Sequence, residues 1–218
     1  MDGWGRRAPW RRRRASAAPW NINIHHDAIL ADLAHPGDRV LEVGCGDGFL
    51  AARLARRGCD VVALDADAAV LARARARWSG LPVRWVHADV ARAPFAPGAF
   101  DVVVTNATLH HLPDTAGGLR ALRDLVRPGG RLGVVGFARS GPLDWPMTLA
   151  GWVAIGVAVR VRGKWEHTAA TSWPPPLTYG RVRSASAVVL PGRSFRRLLL
   201  GRYLITWTAE TAAPPGIV

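Results

Sequence analysis

The sequence predicts an α/β fold with a doubly wound, mostly parallel sheet that ends in an antiparallel hairpin. Between residues 40 and 137, short β-rich runs alternate with helical stretches rich in Ala, Arg and Leu, which is the pattern of βαβ units. Two later β-like runs are separated only by Gly201 and Arg202, which is typical of a hairpin. The length of 218 residues and the apolar content of 49% suit one domain with additions rather than two domains.

Each element follows from its local pattern. Runs rich in β-branched residues predict strands at 39–43, 60–64, 83–87, 101–105 and 131–137, and a hairpin at 194–200 and 203–208. Helices are predicted at 25–33, 49–57, 66–78, 115–126 and 178–190. The fourth of these would end at the Pro/Gly stop 127–130.

The chain divides into three predicted regions. Residues 1–20 form a disordered basic arm, and residues 21–218 form the domain, with a cap helix at 25–34 and an apolar lid or insert at about 141–177. The apolar run at 145–159 is shorter than the roughly 18 residues that a bilayer span needs. We therefore expect a buried or lid helix there and no integral membrane span.

The two cysteines and the basic arm give information on the cellular compartment of the protein. Cys45 and Cys59 cannot build a disulfide framework, and neither lies in a CxxC or His-rich cluster that would predict a metal site. The arm has no apolar segment of a secretory signal. We therefore expect a cytoplasmic protein that holds no metal.

The net charge of +13 is concentrated at the two ends of the chain. Residues 1–20 carry six Arg and one Asp, residues 139–218 carry nine Arg, one Lys and three acids, and residues 21–138 carry thirteen Arg against twelve acids. The arm could bind nucleic acid or an anionic membrane surface. The excess of Arg over Lys also matches the codon bias of a GC-rich genome, so charge alone does not name a partner.

Residues 40–48, VLEVGCGDG, run from an apolar strand into a loop with glycine at every second position, and then into a helix. Glycines allow positive φ and a close approach of the backbone to a ligand, while the helix presents free N–H groups. The loop indicates a nucleotide-like ligand, and the alternative is a tight turn with chance glycines. A dinucleotide fingerprint would require glycine at position 49, which is Phe49, so the loop argues against NAD.

Three acids lie at three strand ends. Glu42 precedes the glycine loop, Asp65 ends the second strand, and Asp89 follows the third. Ligands of open α/β sheets bind outside the carboxyl ends of the strands, so we expect these acids to line one cleft. Asp65 could accept hydrogen bonds from both hydroxyls of a ribose, and Asp89 could reach an adenine amino group.

With these motifs the chain resembles a class I S-adenosylmethionine-dependent methyltransferase, of the group that includes quinone C-methyltransferases and many small-molecule enzymes. LEVGCGDG is similar to the first motif of that family, VVALDAD to the second, HADV to the third and FDVVVTNATLHHL to the fourth. LRDLVRPGGRLGVVGF is similar to the helix, turn and fifth strand that follow. The resemblance covers residues 25–138 and the hairpin, and it implies a Rossmann-like sheet with S-adenosylmethionine as cofactor.

The resemblance also implies roles. The glycines would pass the methionine part of the cofactor, and Glu42 would order their loop. Asp65 would hold the ribose, while Asp89 and Val90 would bind adenine. Asn106 would lie near the transferred methyl group. The implied cofactor-binding set is Glu42, Gly44, Cys45, Gly46, Gly48, Asp65, Ala66, Asp89, Val90 and Asn106.

The termini of the chain resemble a narrower bacterial subset of the family. WNINIHHDAIL is similar to a cap helix whose Asn and His lie near the cofactor, although His26 stands where such relatives carry tyrosine. SWPPPLTY and LPGRSFRRLLLGRYLITW are similar to the closing helix and hairpin. We therefore expect acceptor contacts from His25, His26, Trp173 and Tyr179, the alternative for the two aromatic residues being a place in the core.

His110 and His111 are the candidates for a general base, because imidazole titrates near neutral pH. The alternative is that they pack against the fourth strand or bond to backbone. The fourth motif, TNAT, lacks the Asn-Pro-Pro-Tyr type that grips a flipped base. A small-molecule or lipid-like acceptor therefore ranks first, an RNA or other nucleic-acid methyltransferase second, and a non-catalytic cofactor-binding partner module third.

Overall fold

A computed structural model describes residues 21–112, 114–141, 145–162, 175–198 and 201–211. The predicted arm at 1–20 and Trp173 lie outside the described residues. The strands are β1 (Arg39–Val43), β2 (Asp60–Asp65), β3 (Val83–His87), β4 (Phe100–Asn106), β5 (Val126–Phe137), β6 (Ser194–Leu198) and β7 (Arg202–Thr208). The helices are α1 (Ile22–Ala31), α2 (Phe49–Arg56), α3 (Ala68–Arg77), α4 (Thr115–Asp124), α5 (Trp145–Arg162) and α6 (Tyr179–Val189).

The strands form one mixed sheet in the order β3-β2-β1-β4-β5-β7-β6. β1 to β5 are parallel, while β7 runs antiparallel to both β5 and β6. The predicted fold class is therefore confirmed. The order reverses between β1 and β4, and a crevice at the carboxyl ends of the strands is expected at such a reversal.

The core lies on both faces of the sheet. In β4, Val103 belongs to one hydrophobic cluster and its neighbours Val102 and Val104 belong to the other, because successive side chains of a strand point to opposite faces. The first cluster includes Leu119 of α4 and the second includes Leu54 of α2. Within the described residues, helices therefore cover both faces of the central strands.

Capping residues explain where two helices begin. α1 begins at Ile22, three residues before the predicted start, because the Asn21 side chain accepts a hydrogen bond from the Ile24 amide at 2.8 Å. α3 begins at Ala68 rather than at 66, because the Asp67 carboxylate accepts from the amides of the first turn.

The predicted stop at 127–130 lies inside a strand. α4 ends at Asp124, and Val126 already pairs with Phe100 as the first residue of β5. The pairing with β4 then shifts before it resumes at Val102 and Arg131. The Pro/Gly sequence therefore produces an irregularity in β5 rather than a loop, with Gly129 at φ +73°.

The sequence predicts a buried or lid helix at 145–159, and the described side chains of α5 contradict only the buried alternative. Trp152 is 67% exposed and Val161 is 78% exposed. The apolar residues of α5 show little helical periodicity. The sequence therefore has no polar stripe that would indicate which face is exposed and which is buried. Among the described residues, no helix is both long and apolar enough to cross a membrane.

Candidate active site

A cavity of about 530 Å³ opens at the carboxyl ends of the parallel strands. α1 contributes one wall, and the loops after β1, β2, β3 and β4 contribute the others. Its polar lining residues include Asn21, Asn23, Asp27, Glu42, Asp47, Asp65, Asp67, Asp89, Asn106, Thr108, His110 and His111. Its other lining residues include Ile24, Val43, Gly44, Cys45, Gly46, Phe49, Leu50, Ala66, Val70, Val90, Leu112 and Phe137.

Glycine is favoured at three positions of the loop after β1, because each has a positive φ. Gly44, Gly46 and Gly48 have φ of +70°, +51° and +75°. A Cβ on Gly44 would lie 2.1 Å from the Thr108 hydroxyl oxygen, so this loop and the loop after β4 touch without room for a methyl group. A Cβ on Gly46 would meet nothing within 4 Å, which leaves open space beside a residue of the cavity wall.

Gly48 serves packing rather than the cavity. It is not among the lining residues, and a Cβ there would lie 2.6 Å from the Trp85 ring. Trp78 holds the same loop, because its indole N–H donates to the Asp47 carbonyl at 2.9 Å. Gly48 thus lies against aromatic rings, a contact that the spacing of the motif does not reveal, and its predicted contact with the cofactor stays a prediction.

Glu42, Asp65 and Asp89 line the same cavity, as their positions at the strand ends predict. Asp65 accepts hydrogen bonds from the Gly46 amide at 2.8 Å and from the Asp67 amide at 2.9 Å. Each carboxylate oxygen has a second acceptor site, so Asp65 could still receive two hydroxyl donors. Asp89 caps the short turn after β3 by accepting from the Ala91 amide.

The wall between β1, β4 and α1 carries buried acceptor groups. Asn106 donates from its side-chain amide to the Asp27 carboxylate at 2.8 Å and to the Asn23 carbonyl at 2.9 Å. Its own side-chain oxygen and one Glu42 oxygen are buried and, within the described structure, have no partner. Burial raises the pKa of Asp27 to about 7, and burial together with the nearby Asp27 charge raises the pKa of Glu42 well above its ordinary value.

Sequence analysis missed Asp27, although a signal exists. Asn23 and Asp27 are four residues apart, so they lie on the same side of a helix. α1 packs into the core through Leu30 and Ala31. Polar residues at helical spacing in a helix that packs into the core point to a site, because a buried polar group such as Asp27 requires partners.

The two histidines after β4 both line the cavity. His110 is buried, and its ring meets the edge of Phe137 with 4.9 Å between centroids. Burial lowers the pKa of His110 to about 4, helped by the neighbouring His111 and by Arg202. Burial also lowers the pKa of His111, against the attraction of Asp65.

The other predicted acceptor residues do not line this cavity. His25 is exposed, and His26 is buried with its Nδ1 at 2.7 Å from the Ile22 carbonyl. Tyr179 packs in the core, and its hydroxyl donates to the Arg202 carbonyl at 3.4 Å. Cys45 lines the cavity with a buried thiol, whose pKa is raised by burial.

Comparison with known proteins identifies the family. The model of the "Methyltransferase domain" family matches residues 40–130. An uncharacterized methyltransferase of Mycobacterium tuberculosis is 52% identical over 192 residues, covering 88% of this chain and 98% of the relative. The chain belongs to the class I S-adenosylmethionine-dependent methyltransferases.

More distant methyltransferases extend the likeness. A ubiquinone biosynthesis O-methyltransferase of Pectobacterium carotovorum is 44% identical over 99 residues, but the match covers only 44% of this chain and 41% of the relative. The crystal structure of a SAM-dependent methyltransferase from Aquifex aeolicus superimposes with a TM-score of 0.60 at 16% identity, over 84% of this chain and 88% of the other. At that identity, the superposition speaks for the fold alone.

The cavity fits the family's cofactor. The buried, unpartnered oxygen of Glu42 calls for a ligand group, and the bare backbone at Gly46 leaves space for a molecule against the loop. When bound, S-adenosylmethionine supplies an electrophilic methyl group on a positively charged sulfur. The carboxylates on the same wall suit that charge.

Proposed function

We propose that this methyltransferase acts on a small-molecule or lipid-like acceptor that binds beside His110 and Phe137. The carrying observation is that one cavity of about 530 Å³ joins the acids of β2 and β3 to an apolar wall formed by Leu112 and Phe137. Cavities of roughly 300–1,000 Å³ with mostly apolar walls and a few polar groups are typical of small-molecule sites.

The strand order supports this division of the cavity. Asp89 follows β3, Asp65 ends β2, Asn106 ends β4 and Phe137 ends β5, so these residues follow one another along the sheet edge. We assign the adenosine part of the cofactor to the end with Asp89 and Asp65. The acceptor then occupies the opposite end, next to Phe137.

We assign individual roles on the same basis. Asp65 accepts hydrogen bonds from the ribose hydroxyls beside Ala66, and Asp89 with Val90 holds the adenine. Gly44 and Gly46, with Cys45 between them, pass the methionine part. Asn106 lies at the reacting end.

Methyl transfer to a nucleophile is a displacement in line with the breaking bond, so alignment at close range is the main demand on the protein. Phe137 and the buried face of His110 orient the acceptor and keep water from it. The Nδ1 atom of His110 is buried and has no partner in the described structure. A neutral imidazole there can accept a hydrogen bond from a hydroxyl, thiol or amine acceptor and so orient it, but a pKa near 4 makes His110 a weak general base.

We expect His110 to stay neutral down to about pH 5, because its pKa lies near 4. The measurement is the pH titration of the histidine Cε1–H signals by NMR, with His110→Gln to assign the signal. Free histidine in the same buffers serves as the comparison. An imidazole signal at position 110 that titrates near pH 6.5 would contradict the burial on which the role of this residue depends.

The function is tested by transfer of a radiolabelled methyl group from S-adenosylmethionine to fractionated small metabolites, lipids and RNA. We expect label in the metabolite or lipid fraction, and none in RNA. Catechol is a first phenolic probe, with anisole as the control that lacks a free hydroxyl, because distant relatives bear the name of a ubiquinone O-methyltransferase. Label in RNA alone would refute the proposed acceptor class and favour the nucleic-acid alternative.

A further inference from the structure

We propose that Asp27 of α1 is a cofactor-selecting residue: together with Glu42 and the side-chain oxygen of Asn106, it forms an anionic pocket for the sulfonium of S-adenosylmethionine. The pocket would bind the charged methyl donor more tightly than the uncharged thioether product, S-adenosylhomocysteine. This inference rests on the proposed division of the cavity into an adenosine end and an acceptor end, and it is independent of which acceptor binds.

The geometry fixes three acceptor groups at one place. Asp27 is 4% exposed and Glu42 is 3% exposed, and both line the cavity. Asn106 donates both of its amide hydrogens, one to the Asp27 carboxylate and one to the Asn23 carbonyl. Its oxygen is therefore left as an acceptor, and that oxygen is buried without a partner in the described structure.

No described positive group neutralises these acceptors by direct contact. Arg53 of α2 and Arg202 of β7 are near enough to favour the ionised form of Asp27, but the described structure holds no ion pair from Asp27 to either. The Arg202 guanidinium instead stacks on the Phe137 ring and donates to the Asn23 side chain. Two buried carboxyl groups that repel each other without a contacting cation are costly, so a cationic ligand would relieve that cost.

The position of the pocket along the sheet edge matches the position expected for the sulfonium sulfur. The reacting sulfur must lie between the adenosine end at Asp65 and the acceptor end at Phe137. In strand order β2-β1-β4-β5, the residues between these ends are Glu42 of β1 and Asn106 of β4. Asp27 is held to Asn106 by a hydrogen bond, so its charge lies at the reacting end of the cavity.

The test compares two ligands by titration calorimetry on the full chain. Sinefungin carries an ammonium group where the sulfonium stands, whereas S-adenosylhomocysteine is uncharged there. We expect the wild type to prefer sinefungin, and Asp27→Asn to reduce that preference about tenfold while the affinity for S-adenosylhomocysteine changes less than about threefold. Asp32→Asn is the matched control, because Asp32 caps the same helix at the surface and pairs with Arg57 at 2.7 Å.

Each outcome decides the proposal. An equal loss of both ligands in Asp27→Asn would overturn it, since that result indicates a structural role or contact with the amino-acid part. An unchanged preference would also overturn it. If the wild type bound neither ligand, the cofactor site itself would be refuted, which is a different failure from that of the proposed acceptor class.

A second measurement needs no variant and so does not depend on the folding of Asp27→Asn. With a pKa of about 7, Asp27 is about half protonated at pH 7 in the free protein, and a cation beside it would displace that proton. We expect sinefungin to release more protons than S-adenosylhomocysteine, because burial raises the pKa of both Asp27 and Glu42 and a cation beside them favours their ionised forms. The dependence of the binding enthalpy on buffer ionisation enthalpy measures this release. Equal proton release by the two ligands would contradict the proposal.

Discussion

Replacing Gly44 with alanine is expected to lower the free energy of unfolding by roughly 2–5 kcal/mol and to weaken binding of S-adenosylhomocysteine at least about tenfold. The added Cβ would lie 2.1 Å from the Thr108 hydroxyl oxygen. Overpacking costs about 1–3 kcal/mol, and left-handed backbone costs a residue with a Cβ about 1–2 kcal/mol more. Chemical denaturation and titration calorimetry give the two quantities.

Two further variants separate the backbone strain at a positive φ from the steric overlap with Thr108. Gly37 has a comparable φ of +88°, but a Cβ there would have no atom within 4 Å. Gly37→Ala should therefore lose only the stability that the left-handed backbone costs, and it should bind S-adenosylhomocysteine with wild-type affinity. Thr108→Gly removes the colliding atoms, so the double variant Gly44→Ala/Thr108→Gly should recover part of the loss. A Gly44→Ala protein as stable as Gly37→Ala would show that the two loops are not in contact.

The second large effect is expected at Asp65. Asp65→Ala should raise the dissociation constant of S-adenosylhomocysteine by roughly 100-fold or more, because hydrogen bonds to a charged group contribute about 1.5–3 kcal/mol each and two hydroxyls would lose their partner. The substitution also frees the Gly46 amide that Asp65 now holds at 2.8 Å. Titration calorimetry measures the change.

The matched control lies on the same strand. Asp60→Ala removes an exposed carboxylate at the start of β2, whose pair with Arg39 at 3.8 Å is a surface contact worth about 0–1 kcal/mol. Its affinity for the ligand should equal that of the wild type. Wild-type affinity in Asp65→Ala would remove the proposed ribose contact.

The parts of the fold set by local pattern were predictable. β1 and β3 have the predicted bounds, since alternating apolar runs bounded by turns leave little freedom in where a strand begins and ends. The strand-end acids met in one cavity because parallel strands share an edge. The order of the motifs along the chain was enough to predict the positions of these acids.

The parts set by contacts distant in sequence were not predictable. Gly48 meets Trp85, and Asn106 meets Asp27 across 79 residues, so neither contact leaves a local pattern. The strand start at Val126 was missed because a Pro/Gly sequence usually marks a turn, whereas here the pairing with Phe100 continues the sheet. The exposure of α5 could not be predicted either. Its apolar residues are not confined to one face, so the sequence does not indicate which face would be buried.

The side chain that caps α1 also belongs to the cavity wall. Asn21 holds the Ile24 amide and lines the cavity, so whatever is joined to its amino side is attached at the rim of the binding site. A bulky fusion directly before Asn21 would be joined to a residue of the cavity wall, whereas Thr211, beyond the end of β7, is not among the residues that line the cavity. Fusions joined directly before Asn21 are therefore to be avoided when ligand affinities are compared.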